Sequence, residues 1–242
     1  TVLNGGMRAM GLYPGHQLDL SQPHPDAETR QTADDIVQIM TPVVKAFLTD
    51  EGYANANTGL QVLGGSGFTQ DWPIEQYVRD GRIARIYEGT NGIQAMDLVG
   101  RKLSLHKGRL VQSLFTDMTD YLKQHPDCAH RDQLKAALAT LEEAVNWLNT
   151  NARQDPEQAG AAATPFLRLT GLTVIAFMWV RMAEAARQAI ASGEGNQAFN
   201  EAKQVSARFF FDKLLPEKDA LLADIVDGKE SLMALDDDQW AL

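Results

Sequence analysis

The chain holds one cysteine, Cys128, among 242 residues. A lone thiol excludes an internal disulfide framework and fits a reducing compartment. The cytoplasm is therefore the expected location, with the mitochondrial matrix left open. Basic residues are also scarce, 22 Lys and Arg against 32 Asp and Glu, for a formal net charge of −10. Such a surface repels a phosphate backbone, so nucleic acid is not an expected partner. The deficit is shared, with 12 acids to 8 bases over residues 1–105 and 20 to 14 over 106–242. Long apolar runs are missing too. The longest, Leu172 to Val180, has nine residues interrupted only by Thr173, whereas a bilayer span needs about 20. That run is read as a buried core helix. His16, His24, His106, His125 and His130 show no metal-ligand spacing, and no metal site is expected. Finally, no stretch alternates apolar and polar residues well enough for a strand.

What remains is helical periodicity. Ile36, Val37, Met40, Val44, Phe47 and Leu48 form a one-sided stripe at steps of three and four. Pro42 inside it predicts a bend, or a helix restarting with Pro42 in its first turn. Leu18 to Pro25 reads as a loop. From Glu51 to Gly92 glycines are dense, and short helices joined by tight turns are expected. Leu134, Leu138, Leu141, Val145 and Leu148 make a second stripe. A third covers Ala159 to Ala191, starting near Thr164-Pro165 and closed by Ser192-Gly193. Phe199 to Leu215 and Leu221 to Val226 complete the set. The predicted fold is all-α, two helical bundles over residues 1–105 and 106–242, meeting near residues 104–109. Trp72, Trp147, Trp179, Trp240 and Phe209 to Phe211 are expected as core or interface anchors. Arg79, Arg82 and Arg85 read as a solvated or ion-paired face, and Asp236 to Asp238 as a solvated tail.

Two short features carry chemistry. In Gly64-Gly65-Ser66-Gly67 the glycines allow backbone N–H groups to approach an anion. The Lys of a P-loop is absent and no strand precedes the turn, so a simple turn between helices satisfies the same pattern. The other feature is Tyr87-Glu88-Gly89-Thr90-Asn91. Thr90 can cap a helix opening at Asn91 or Gly92. Glu88 then lies just before a helix start, either as a carboxylate stabilised by the helix dipole or as a reactive base beside a glycine that leaves room for a ligand.

Together these pieces resemble the acyl-CoA dehydrogenase family. Its pattern couples a Gln-x-x-Gly-Gly-x-Gly-Phe turn to an Ile-Tyr-Glu-Gly-Thr-[Asn/Ser]-x-Ile-Gln box about 27 residues later. Here Gln61, Gly64, Gly65, Gly67 and Phe68 are followed by Ile86, Tyr87, Glu88, Gly89, Thr90, Asn91, Ile93 and Gln94, and Glu88 lies 27 positions after Gln61. Arg79-Asp80 lies between them, with Val78 where a Tyr is common and Gly81 where Ala is more usual. The match covers residues 1–105. Residues 106–242 resemble the extra helical domain of a subgroup that includes the methylthiopropanoyl-CoA dehydrogenases, by position and helical pattern.

The resemblance implies oxidation of an acyl-CoA thioester to the 2-enoyl-CoA, with Glu88 taking the α-proton and FAD receiving the β-hydrogen. It places Gln61, Val62, Leu63, Gly64 and Gly65 at the adenosine-diphosphate half of FAD in a neighbouring subunit, so a homodimer or homotetramer is implied. Thr90, Asn91 and Gly92 fall near other portions of FAD, and Gly89 leaves room for the substrate thioester. Gln94 is expected to cap or pack. An electron-transfer flavoprotein is the implied acceptor. An acyl-CoA oxidase, or a non-enzymatic helical interaction module on this scaffold, are the alternative readings. The family's amino-terminal helical and middle β-domains are absent from these 242 residues, so the chain alone is expected to hold FAD poorly and to have little activity.

Overall fold

The middle of helix α8 (Pro156–Ser192) is apolar on nearly every side, and the rest of the molecule is arranged around it. A computed structural model describes residues 2–152 and 154–240, without the side chains of Asp237 and Trp240. Among the described residues there is no strand. From Pro165 to Val180 every residue of α8 except Arg168 is buried. A stretch with no polar face must be covered all round, and α1 (Val2–Ser21), α2 (Ala27–Val62), α5 (Asn91–Asp97), α7 (Arg131–Asn151), α9 (Gln197–Phe209) and α10 (Glu217–Asp227) cover it. Its two buried threonines are satisfied within the helix, Thr170 donating to the Phe166 carbonyl (2.8 Å) and Thr173 to that of Leu169 (2.9 Å). Asp155 caps the start by accepting the Glu157 N–H at 3.0 Å, and Gly193 closes the end in the left-handed conformation. The helix therefore begins nine residues before Pro165. That proline lies in the interior, because the surrounding core outweighs its lost N–H.

Helix α2 (Ala27–Val62) crosses α8 and carries the segment of interest at its far end. Its buried face is Ile36, Ile39, Met40, Val43, Ala46 and Phe47. Val37, Val44 and Leu48 flank that face half-buried, so the stripe centres one position away from the sequence expectation. The crossing is close. A Cβ added at Gly171 would lie 2.2 Å from the Phe47 ring, so only glycine fits there. This helix excludes one of the two readings of Pro42, the restart, and overturns one further expectation. It does not restart at Pro42, and residues 51–62 are its continuation rather than separate short helices, since packing against α1 and α4 (Ile74–Ile83) overrides the local cost of proline and glycine. Likewise α1 (Val2–Ser21) runs through Leu18 to Ser21, where a loop was expected.

The remaining elements are α3 (Gly65–Phe68), α5 (Asn91–Asp97, continued by a π turn at Leu98–Lys102), α6 (Arg109–Gln124), α7 (Arg131–Asn151), α9 (Gln197–Phe209, continued by a π turn at Phe210–Leu214) and α10 (Glu217–Asp227). Between α5 and α6 the backbone turns sharply, with His106 and Lys107 at φ of 52° and 61°. One apolar cluster runs from Met10 to Ile225 across that turn without a break. Charged groups stitch the same seam. The buried Asp35 carboxylate accepts from Arg109 Nε (2.7 Å) and Nη2 (3.0 Å), Ser113 Oγ (3.1 Å) and Gln31 Nε2 (3.1 Å). Arg168 on α8 reaches Glu51 on α2 at 2.6 Å and pairs with Glu217 on α10, and these two carboxylates hold its guanidinium firmly protonated. Tyr13 donates to Asp117 at 2.6 Å, and burial next to that carboxylate pushes its phenol pKa far up.

Of the expected anchors, Trp179, Phe210 and Phe211 are buried and Trp147 packs on the core margin, whereas Trp72 and Phe209 are about half exposed. Trp240 and Asp237 lie outside the described side chains, and Asp236 and Asp238 are exposed.

Candidate active site

The chemistry-bearing box forms a closed loop between α4 and α5. The Asn91 N–H donates to the Arg85 carbonyl at 3.2 Å, which ties residues 85–91 into a ring. Thr90 caps α5, its hydroxyl accepting the Ile93 N–H at 3.3 Å. Inside the ring Glu88 has φ of 55° and Gly89 has φ of 80°. The second value suits glycine. The first is uncommon for a side-chain-bearing residue and costs about 1–3 kcal/mol, so it persists only where neighbours impose it.

Those neighbours can be named. The Gln94 amide donates to the Glu88 carbonyl at 2.9 Å and so ties α5 back to the loop, whereas the cap itself is Thr90. Lys45 on α2 donates at 2.7 Å to the Gly89 carbonyl and at 2.7 Å to Asn91 Oδ1. The Asn91 amide donates in turn to the Ala46 carbonyl (3.2 Å) and Thr49 Oγ1 (3.0 Å). Arg85 pairs with Asp50 and lies 5.2 Å from the centre of the Tyr53 ring, as expected of an ion-paired residue. The Glu88 side chain itself is exposed, and among the described residues no acceptor takes its backbone N–H.

Behind the loop is a cavity of about 190 Å³ lined by Phe47, Asp50, Arg85, Asn91, Gly92 and Arg168. Asn91 and Gly92 thus face α2 and α8, and the Asn91 amide is fully engaged there.

The glycine turn ends α2. The Gly64 N–H donates to the Gln61 carbonyl at 3.1 Å, and Gly64 takes φ of 60°. Gly67 packs so closely that a Cβ would lie 2.6 Å from the Leu60 carbonyl oxygen. Nothing lies within 4 Å of where a Cβ of Gly64 or Gly65 would be, so the outer side of this turn is open. Gln61, Val62, Leu63, Gly64 and Gly65 are all exposed. The turn and Glu88 are not neighbours within one chain. Asn91 sits against Ala46 and Thr49, and Gln61 lies 12 residues or more further along the helix, a rise of roughly 20 Å.

Large apolar side chains surround both features without being covered. Phe68 is 79% exposed, Val62 81%, Tyr77 63%, Ile93 60% and Tyr87 52%. Apolar surface of this density marks a region built to meet another surface.

Lys45 and Asp50 were not singled out in the sequence. A charged residue between the apolar Val44 and Ala46 is the only local signal for Lys45, and it says nothing of a partner 44 positions away. Among the described residues no group of His, Cys, Asp and Glu is arranged to hold a metal ion.

Comparison with known proteins adds the following. A family model described as the acyl-CoA dehydrogenase C-terminal domain matches residues 25–103, and one described as acetyl-CoA dehydrogenase C-terminal like matches residues 114–236. The 3-methylmercaptopropionyl-CoA dehydrogenase of Ruegeria pomeroyi is 35% identical over 238 residues, covering 96% of this chain and 40% of that protein. Two solved structures share the fold. The ACDH-11 protein of Caenorhabditis elegans in complex with C11-CoA superposes with a TM-score of 0.65 at 17% identity, over 96% of this chain and 38% of that one. An acyl-CoA dehydrogenase complexed with FAD from Bacillus anthracis gives 0.60 at 20% identity, over 96% and 42%. The chain thus spans about two fifths of the length of these relatives.

Proposed function

The chain belongs to the acyl-CoA dehydrogenase family, and from that premise we propose that it forms the helical part of an FAD-dependent enzyme oxidising an acyl-CoA thioester, with Glu88 as the base. The observation that carries this reading is the held loop. A glutamate with an unfavourable backbone, fixed by side chains from two helices and exposed on its outer side, is the kind of outlier that points to function.

The residues fit the cofactor. The open side of Gly64 and Gly65 admits a phosphate against the backbone, and the Gly65 and Ser66 N–H groups open a short helix without intrahelical partners. Gln61, Val62 and Leu63 lie beside that opening. As the family resemblance implies, the turn is proposed to meet the adenosine-diphosphate half of FAD in a second subunit. FAD, when bound, supplies the acceptor for the β-hydride.

The rest falls to this chain. An α-proton beside a thioester is far less acidic than a carboxylic acid, so the loop must lower the barrier from both ends. Covering the exposed Glu88 carboxylate with substrate and flavin excludes water from the proton transfer. The free Glu88 N–H donates to the thioester oxygen as negative charge develops there. A side chain at Gly89 would meet Gln94 Nε2 at 3.3 Å, so glycine there lets the loop close on α5. An electron-transfer flavoprotein is the proposed acceptor of the electrons.

The test is direct. The complete gene product should purify with FAD and lose its yellow colour on anaerobic addition of acyl-CoA, and should form little peroxide in air. A colourless product that binds neither FAD nor acyl-CoA would leave the interaction-module reading in its place.

A further inference from the structure

We infer that Lys45 is a positioning residue for the Glu88 loop, holding the base and its backbone N–H at the angle the reaction needs. This rests on the assignment of Glu88 as the base. Two consecutive peptide carbonyls, those of Glu88 and Gly89, are held from different elements. The first, of Glu88 itself, accepts from Gln94 on α5, the helix that directly follows the loop. The second, of Gly89, accepts from Lys45, which belongs to α2. The second bond therefore ties the loop to an element 44 residues away in the chain, where Val43, Ala46 and Phe47 beside Lys45 are buried in the core.

The ammonium also reaches Asn91 Oδ1, so one charged group spans the loop and the first residue of α5. Lys45 is half-buried, and among the described residues no carboxylate pairs with it. Its charge is therefore directed at these two neutral oxygens, and hydrogen bonds from an ionised donor are about twice as strong as neutral ones. With Glu88 at φ of 55° and Gly89 at φ of 80°, release of the Gly89 carbonyl lets both residues relax toward ordinary backbone angles. The carboxylate and the N–H would then turn together away from the α-carbon and the thioester oxygen. Lys45 touches neither substrate nor flavin in this account. It acts through the loop.

The experiment is acyl-CoA oxidation by the complete gene product with FAD bound. Lys45→Met is expected to lower kcat by about 10- to 100-fold, the cost of a misplacement near 1 Å. Flavin content and acyl-CoA affinity should stay within about twofold, because no binding contact is removed. Lys45→Arg, which can bridge the same two oxygens, should recover most of the loss. Lys45→Gln keeps a polar group in place and guards against misfolding. A fall in its kcat at unchanged melting temperature supports the inference. Turnover that falls only in step with melting temperature and flavin content, in both variants, assigns Lys45 a merely structural role and overturns it. Normal turnover in Lys45→Met overturns it as well, and leaves the base assignment standing if Glu88→Gln is inactive in the same assay. If Glu88→Gln also turns over normally, both readings fall.

Discussion

Helix α8 and the stretch from Gln61 to Met96 contain similar kinds of apolar residue and use them in opposite ways. In α8 nearly every side chain from Pro165 to Val180 is buried within the chain. Between Gln61 and Met96 only Gly67 and Ala95 are buried, while Phe68, Trp72, Tyr77, Tyr87 and Ile93 face outward. The first region is held by contacts it makes itself. The second is held by backbone hydrogen bonds, a cap and a few polar side chains, and its apolar surface has no partner here. Stability and function are therefore carried by different parts of the molecule.

That contrast can be broken by substitution. The largest stability effect is expected where α2 crosses α8. Phe47→Ala removes a ring pressed onto Gly171 and should cost about 3–5 kcal/mol in denaturant unfolding. A cost below about 1 kcal/mol would mean that the crossing is loose and the contrast overstated.

A second effect appears with pH. His130 stacks on Phe211 with ring centres 4.3 Å apart, and burial, aided by nearby Arg208, lowers its pKa below the usual 6.5. As pH falls the unfolded chain takes up this proton first. The stability from His130 is thus complete above about 6.5 and is lost as pH drops through the lower folded value. The melting temperature should fall between pH 7.5 and 5, and fall less in His130→Phe. Equal slopes in the two proteins would remove His130 from the account.

The smallest effect belongs to the outward-facing region. Phe68→Ser should change the unfolding free energy by less than about 0.5 kcal/mol, since the ring is 79% exposed. A loss above about 1 kcal/mol would show that this ring is already covered in solution, and its dependence on protein concentration would tell whether a second copy covers it.

How much of this was legible in the sequence follows the same division. The all-α fold was, because stripes such as Leu134 to Leu148 and the glycine stop at Gly193 are local signals. The cap at Thr90 was legible for the same reason. Boundaries were misread at Leu18 to Ser21, over residues 51–62 and at Thr164-Pro165. Pro42, Pro165 and the helical glycines of α2 carry local penalties that distant packing outweighs, and a window of sequence does not contain that packing. The short box around Glu88 stood out as a pattern, but the groups that hold it did not. Lys45 and Asp50 lie 35 to 46 residues from their partners and reach them only because α2 passes beneath the loop.

The central claim is that the carboxylate held in this loop removes a proton from bound substrate. Anaerobic stopped-flow reduction of the flavin in the complete gene product, comparing Glu88→Gln with the unaltered protein, tests it most directly. The account predicts an equal flavin content, unchanged acyl-CoA binding and a reduction rate lower by at least about 10³-fold, or roughly 4 kcal/mol of barrier. A reduction rate within tenfold of the unaltered protein would contradict it.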